Sequence, residues 1–117
     1  LRDVQSKLKD KGYPWEISKS FDDSATITNI VDYQAKKHDL NNLNLKCYLN
    51  DIERQNGNTK NMIFNIETLL LYISSIWDFE VGDLIYTGTP EGVGEVKKND
   101  ILKISGDFIS QESWEII

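Results

Sequence analysis

Cysteine, histidine and methionine each occur once in these 117 residues, and proline twice. The lone thiol, Cys47, leaves no internal disulfide, which excludes a disulfide scaffold and fits a reducing compartment. Cys47 also sits in an alternating apolar run, where it reads as buried filler. The lone histidine, His38, lies in the polar stretch Lys36-Lys37-His38-Asp39 and reads as exposed loop. No serine–histidine or cysteine–histidine couple is legible, so a triad hydrolase is disfavoured. No apolar run approaches the roughly 20 residues that span a bilayer, and residues 69–77 fall far short. Basic charge is scarce as well. Thirteen Lys and Arg against 19 Asp and Glu leave a net charge of −6, which argues against nucleic acid or a membrane surface as partner.

What remains is ordinary soluble-domain composition, 39% hydrophobic and 27% charged, in a chain sized for one domain. The chain opens at Leu1 and runs directly into Arg2-Asp3-Val4-Gln5. It is read as a piece of a longer polypeptide, so the absence of a targeting signal carries no information.

Residues 2–11 hold good helix formers, with Val4 and Leu8 at helical spacing and Gly12 as terminator. Tyr13-Pro14-Trp15 predicts a rigid turn that buries the indole. Residues 17–21 (I-S-K-S-F) alternate as a strand with Lys19 between hydroxyls, and Asp22-Asp23-Ser24 reads as a turn. Residues 25–31 make a second strand, followed by polar loop over 32–42. Leu43, Leu45, Cys47 and Leu49 alternate with polar neighbours, Asn50-Asp51 reads as a hairpin turn, and 52–55 return before a loop at 56–59. Residues 66–77 carry a helical apolar stripe behind Asn65 as N-cap. Residues 79–85 are echoed by 96–102, each a polar turn ending in Asp before a short strand. Gly106-Asp107 then turns the chain into a final strand or pair of strands. Many short strands with one or two helices predict a mixed, mostly β fold.

The stretch that organises the chain is 84–94, L-I-Y-T-G-T-P-E-G-V-G. Leu84, Ile85 and Tyr86 predict a short strand that Pro90 ends. The threonine hydroxyls, with backbone N–H groups around Gly88, form a plausible cradle for a small anion. A tight β-turn without a ligand explains the same residues equally well.

Several blocks in order carry a resemblance: Arg2-Asp3-Val4-Gln5, Lys11-Gly12-Tyr13-Pro14-Trp15, Lys19-Ser20-Phe21-Asp22 and Arg54-Gln55-x-Gly57-Asn58-Thr59. They continue with Met62-Ile63-Phe64, Tyr72-Ile73-Ser74, Gly82-Asp83-Leu84-Ile85 and Thr87-Gly88-Thr89-Pro90-x-Gly92-Val93-Gly94. In this order the chain resembles the fumarylacetoacetate hydrolase family, in its acylpyruvase and oxaloacetate decarboxylase branch. The resemblance implies a barrel-like body of mixed β-sheets, of which residues 1–117 are the C-terminal part of a single catalytic domain. It further implies a homodimer, cytoplasmic or mitochondrial, and a magnesium or manganese ion beside a small oxo-carboxylic acid. Such chemistry builds charge on an enolate oxygen, which a hard cation and fixed donors stabilise.

By the same resemblance Lys19 and Gln5 are catalytic, and Arg2, Gln5, Lys19, Gly88 and Thr89 bind substrate. Each has a plainer reading from the residues alone. Arg2 can pair with Asp3 or another surface acid, Lys19 can be a solvated strand lysine, Gln5 a helix-surface amide, and Thr89 a turn former. Family spacing reverses that balance for Lys19 and Thr89 more firmly than for Arg2 and Gln5. The family's metal ligands and its lid histidine and glutamate fall upstream, so no metal ligand is assigned in this chain. His38 is not recruited in their place. Leu1, Thr26 and Asp51 depart from the usual alanine, proline and turn glycine.

The implied activity of the whole protein is metal-dependent hydrolysis or decarboxylation of small 2,4-dioxo acids or oxaloacetate. The alternatives are a hydroxy-diene dioate isomerase of the same fold and a non-catalytic module that dimerises or binds a metabolite. This stretch alone is expected to be inactive.

Overall fold

The computed structural model of the chain describes residues 1–34 and 37–117; Ala35 and Lys36, within the predicted 32–42 loop, lie outside the described residues. Helix α1 spans Arg2–Asp10. It stops as its sequence requires: Gly12 takes φ +65°, its N–H donates to the Lys9 carbonyl, and the Tyr13 N–H donates to the Leu8 carbonyl. That reciprocal pair closes the last turn and satisfies carbonyls the helix leaves over.

Beyond the turn the strand expected at 17–21 does not form. Glu16–Ser18 is a single 3-10 turn. The Ser18 hydroxyl donates to the Trp15 carbonyl, and the Lys19 and Ser20 N–H groups both reach the Glu16 carbonyl. Such local bonds compete with a ladder, and among the described residues no strand pairs with 17–21. The Trp15 indole is not buried either: it stays 41% exposed with the Lys9 ammonium 4.8 Å from its ring centre, a cation–π contact.

Four strands form one antiparallel sheet: β1 (Asn44–Leu49), β2 (Ile52–Asn58), β3 (Ile101–Gly106) and β4 (Ile109–Glu115), in the order β2-β1-β3-β4. The mixed, mostly β architecture is as the sequence predicts, and within this chain the sheet is open. β1 and β2 join through Asn50 and Asp51, at φ 52° and 66°, the double left-handed turn whose twist suits a two-residue hairpin. β2 runs to Asn58, three residues past its expected end, because Asn56, Gly57 and Asn58 pair with Lys46, Leu45 and Asn44. Cys47 faces Gln55 while Tyr48 faces Glu53, so Arg54 is an extra, unpaired residue, a β-bulge. Residues directly opposite share a face. One face therefore collects Leu45, Cys47, Leu49, Leu102, Ile104 and Trp114, and the other Lys46, Tyr48, Lys103 and Ser113.

Helix α2 covers Ile66–Ser74 with the Asn65 side chain accepting from the Thr68 N–H, as expected for its cap. Ile66, Leu69, Leu70 and Ile73 form its partly covered stripe, whereas Ile76 and Trp77 fall beyond its end and are exposed. The strands expected at 25–31 and 84–86 have no ladder partner among the described residues and are irregular chain. β-Propensity describes fitness for a pleated, half-buried surface and cannot supply the neighbouring strand. His38 is half-buried, not exposed loop: its ring lies tilted 4.1 Å from Phe108, and Nδ1 accepts from the Gln34 N–H. No described helix is long and apolar enough to cross a membrane.

Candidate functional site

Residues 84–94 cross the edge of the sheet at β2, and two glycines make the crossing possible. A Cβ at Gly57 would lie 2.8 Å from the Pro90 ring, so Pro90 sits directly on the β2 backbone. Gly92, at φ +99°, approaches so closely that a Cβ would lie 1.9 Å from the carbonyl oxygen of the bulged Arg54. No side chain fits there. The loop is then fastened by Gln55, whose Nε2 donates to Thr89 Oγ1 and to the Pro90 carbonyl, both at 2.8 Å.

Between this loop, the end of β2 and the start of α2 opens a cavity of about 640 Å³. Thr87, Gly88, Thr89 and Pro90 form one wall, Asn56 to Thr59 another, and Met62, Ile63, Phe64 and Leu69 the apolar remainder. A polar rim of hydroxyls and amides on an apolar floor is the usual make-up of a small-molecule site. The Asn58 amide belongs to the scaffold: it donates to Asn42 and Asn44 and accepts from the Lys60 N–H. A smaller cavity of about 180 Å³ on the apolar face is shared by Thr89, Gln55, Cys47 and Ile104. Cys47 is half-buried, and burial pushes its thiol up from the ordinary value, which favours filler over nucleophile.

Gly88 and Thr89 thus stand together on the larger cavity. Arg2, Gln5 and Lys19 are elsewhere in the described structure and line neither cavity. Arg2 and Gln5 meet on α1, where Arg2 Nη1 donates to Gln5 Oε1 at 3.3 Å and Gln5 is buried. Arg2 is not paired with Asp3, which faces Lys7 at 3.9 Å across exposed helix surface. Lys19 follows the 3-10 turn as its C-cap and is exposed. Among the described residues no hydrogen bond or ion pair joins the α1 group to the Thr89 loop. Nor do any three His, Cys, Asp or Glu side chains among them come together to hold a metal ion. The residues present therefore do not by themselves fit the divalent cation that the resemblance implies.

Gln55 belongs to the Arg54-Gln55-x-Gly57-Asn58-Thr59 block, yet local sequence assigns it no role. Its partner is 34 residues away, and membership of that block is the signal the sequence carries.

Residues 1–114 match the family model described as fumarylacetoacetate (FAA) hydrolase C-terminal. A mitochondrial oxaloacetate decarboxylase of Dictyostelium discoideum is 46% identical over 102 residues, 87% of this chain and 46% of the relative. A mitochondrial oxaloacetate tautomerase of Bos taurus is 46% identical over 99 residues, 85% of this chain and 44% of the relative. The structure of a fumarylpyruvate hydrolase from Pseudomonas aeruginosa in complex with Mn2+ and pyruvate superposes with a TM-score of 0.89 at 29% identity, covering 99% of this chain and 49% of that one. The chain spans about half the length of the relatives it matches.

Proposed function

This chain belongs to the fumarylacetoacetate hydrolase family, and from that premise we propose that the whole protein is an enzyme acting on a small oxo-dicarboxylic or 2,4-dioxo acid such as oxaloacetate. Residues 1–117 are then the C-terminal part of one catalytic domain. The observation that carries this reading is the cavity walled by Thr87, Gly88 and Thr89, a fixed loop that presents hydroxyl and backbone donors where a carboxylate can lodge. Relatives named for decarboxylation and for tautomerisation of oxaloacetate support it, because both reactions build negative charge on the C2 oxygen: loss of CO2 from the keto acid leaves the enolate of pyruvate, and tautomerisation passes through the enolate of oxaloacetate. The hydrolase reading adds attack of water on a second carbonyl, and isomerisation of a hydroxy-diene dioate likewise converts a 2-hydroxy enol acid into its 2-oxo form.

In this proposal Thr89 donates its hydroxyl hydrogen to the substrate carboxylate, and the Gly88 backbone lies against it. Lys19 and Arg2 supply positive charge to an otherwise acidic polypeptide, and Gln5 holds the Arg2 guanidinium. A divalent cation, magnesium or manganese, would supply Lewis-acid stabilisation of a substrate oxygen, held by ligands from outside residues 1–117. The whole protein is proposed to work as a homodimer in the cytoplasm or the mitochondrion.

The test is an assay of the whole protein on oxaloacetate and acetylpyruvate, with magnesium or manganese and after chelation, beside Lys19→Ala. The exposed lysine has no ion-pair partner among the described residues, so the variant should keep the wild-type melting temperature. It should lose about 100-fold or more in kcat/KM if its charge acts on the developing anion. Absence of turnover of either acid with both metals, or an unimpaired Lys19→Ala, overturns the proposal.

A further inference from the structure

We propose that Gln55 is a positioning residue that sets the polarity of the Thr89 hydroxyl, so that this hydroxyl meets an anionic oxygen as a donor. The inference rests on the reading of Thr89 as the carboxylate contact and deepens it. A backbone carbonyl can only accept, so the end of the Gln55 amide that faces Pro90 O at 2.8 Å is Nε2. That nitrogen carries two hydrogens. One is committed to the Pro90 carbonyl, and the other is directed at Thr89 Oγ1, also 2.8 Å away.

A threonine hydroxyl left to itself rotates and can offer either a hydrogen or a lone pair. Against an N–H that choice disappears. Thr89 Oγ1 must accept from Gln55, and its own hydrogen is left for a different acceptor. Among the described residues it donates to none, and Thr89 lines the larger cavity. A carboxylate oxygen is acceptor-only, so the hydroxyl arrives already turned the right way. Donors fixed in advance avoid reorganisation on binding, and a hydrogen bond to an ionised acceptor is roughly twice as strong as a neutral one.

The backbone explains why Gln55 can do this. The bulge at Arg54 re-sets the alternation of β2 so that Gln55 stands opposite Cys47, on the sheet face where Thr89 lies. Pro90 stacked on Gly57 and Gly92 pressed on the Arg54 carbonyl hold the loop within reach from both sides. A glutamate at this position is nearly the same shape but acceptor-only when ionised. It would draw the Thr89 hydrogen to itself and repel the Pro90 carbonyl.

The experiment measures pyruvate and oxalate dissociation constants by calorimetry on the whole, metal-loaded protein. The variants are Gln55→Glu, Gln55→Ala and Thr89→Val, with each Gln55 change also made in the Thr89→Val background. Gln55→Glu should weaken binding by about tenfold or more at about pH 8, measured against wild type at the same pH. The deficit should shrink towards about pH 5, as protonation of the glutamate restores a donor. With Thr89 already valine, neither Gln55 change should weaken binding further, because its route has been removed. Protonation also relieves the repulsion of the Pro90 carbonyl, so the combination with Thr89→Val decides: a merely structural glutamine would add to Thr89→Val. If Thr89→Val weakens binding while Gln55→Glu stays within about twofold of wild type, or if the effects add, the positioning role is overturned and the carboxylate reading stands. If Thr89→Val binds both acids like wild type, the carboxylate reading falls and takes this proposal with it.

Discussion

Asn50 holds a left-handed backbone angle and two long-range hydrogen bonds at once. Its Nδ2 donates to Asp100 Oδ1 at 2.8 Å and its Oδ1 accepts from the Ile101 N–H at 2.9 Å, which ties the β1–β2 turn to the start of β3. The Asn50 bond, with a further one from the Lys97 N–H, holds the Asp100 carboxyl below its ordinary value. The sign follows. The folded state binds this proton less tightly than the unfolded chain, so the stabilisation is in place above the unfolded carboxylate range and is lost as pH falls through the lowered folded value. Asn50→Gly keeps a backbone that tolerates φ 52° and removes only the side chain. In that variant the Asp100 titration followed by NMR should move up towards the ordinary carboxylate value. The loss of melting temperature should be largest near neutral pH and smaller in acid; an unmoved Asp100 titration would assign the lowering to Lys97 instead. Asp51, at φ 66°, shows two effects in opposition. A glycine there would relieve the left-handed angle but would remove the contact to Lys103, made by an Asp51 side chain that is 79% exposed. Each is worth less than about 1 kcal/mol, so Asp51→Gly should leave the melting temperature nearly unchanged.

At the scale of elements, the repeat between 79–85 and 96–102 shows where local chemistry stops. Both turns form in the same way: Asp83 Oδ2 accepts from the Glu80 N–H and Asp100 Oδ2 from the Lys97 N–H, with Gly82 and Asn99 at positive φ. Only the second leads into a strand, because Ile101 finds Asn50 across the gap while Leu84 finds no ladder. The loop that follows Leu84 is held instead by close contact with β2. Gly92→Ala should therefore destabilise the whole protein by at least about 2 kcal/mol, since the new methyl cannot coexist with the Arg54 carbonyl and the loop must move. Pyruvate affinity should fall with it, as Thr89 moves too. A stable Gly92→Ala with unchanged pyruvate affinity would show that the loop rests elsewhere in solution.

The molecule as a whole has more surface than its length warrants. Leu49 is its one buried hydrophobic side chain among the described residues, while Ile63, Leu71, Trp77 and Val81 are largely open. Its surface is 9665 Å², against about 6,500 Å² for a folded monomer of this size. Its radius of gyration is 15.9 Å, against about 13 Å for a compact chain. The excess, about 3,000 Å², exceeds what one side of an obligate interface usually buries, about 1,000–2,500 Å². This is the scale of a core divided in two. Residues 1–117 expressed alone should bind a hydrophobic dye and associate in solution, and calorimetry should find neither tight magnesium binding nor metal-dependent oxalate binding. Micromolar, magnesium-dependent oxalate affinity in a monodisperse monomer would contradict this account.

The sequence by itself determined whatever is decided within a few residues. It set the stop of α1 at Gly12, the cap of α2 at Asn65, the tight turn at Asn50-Asp51 and the inward set Leu45, Cys47, Leu49. The ordered blocks from Arg2 to Gly94 also made the family legible, because each block records a local requirement and their spacing is preserved in the chain itself. Only the tertiary structure decided which apolar stretches became strands, since 25–31, 84–86 and 101–106 look alike until a neighbour accepts their N–H groups. It also decided what Trp15 and His38 touch, and that Gln55 reaches Thr89. The His38–Phe108 and Gln55–Thr89 contacts each join segments tens of residues apart, and no local propensity encodes that meeting.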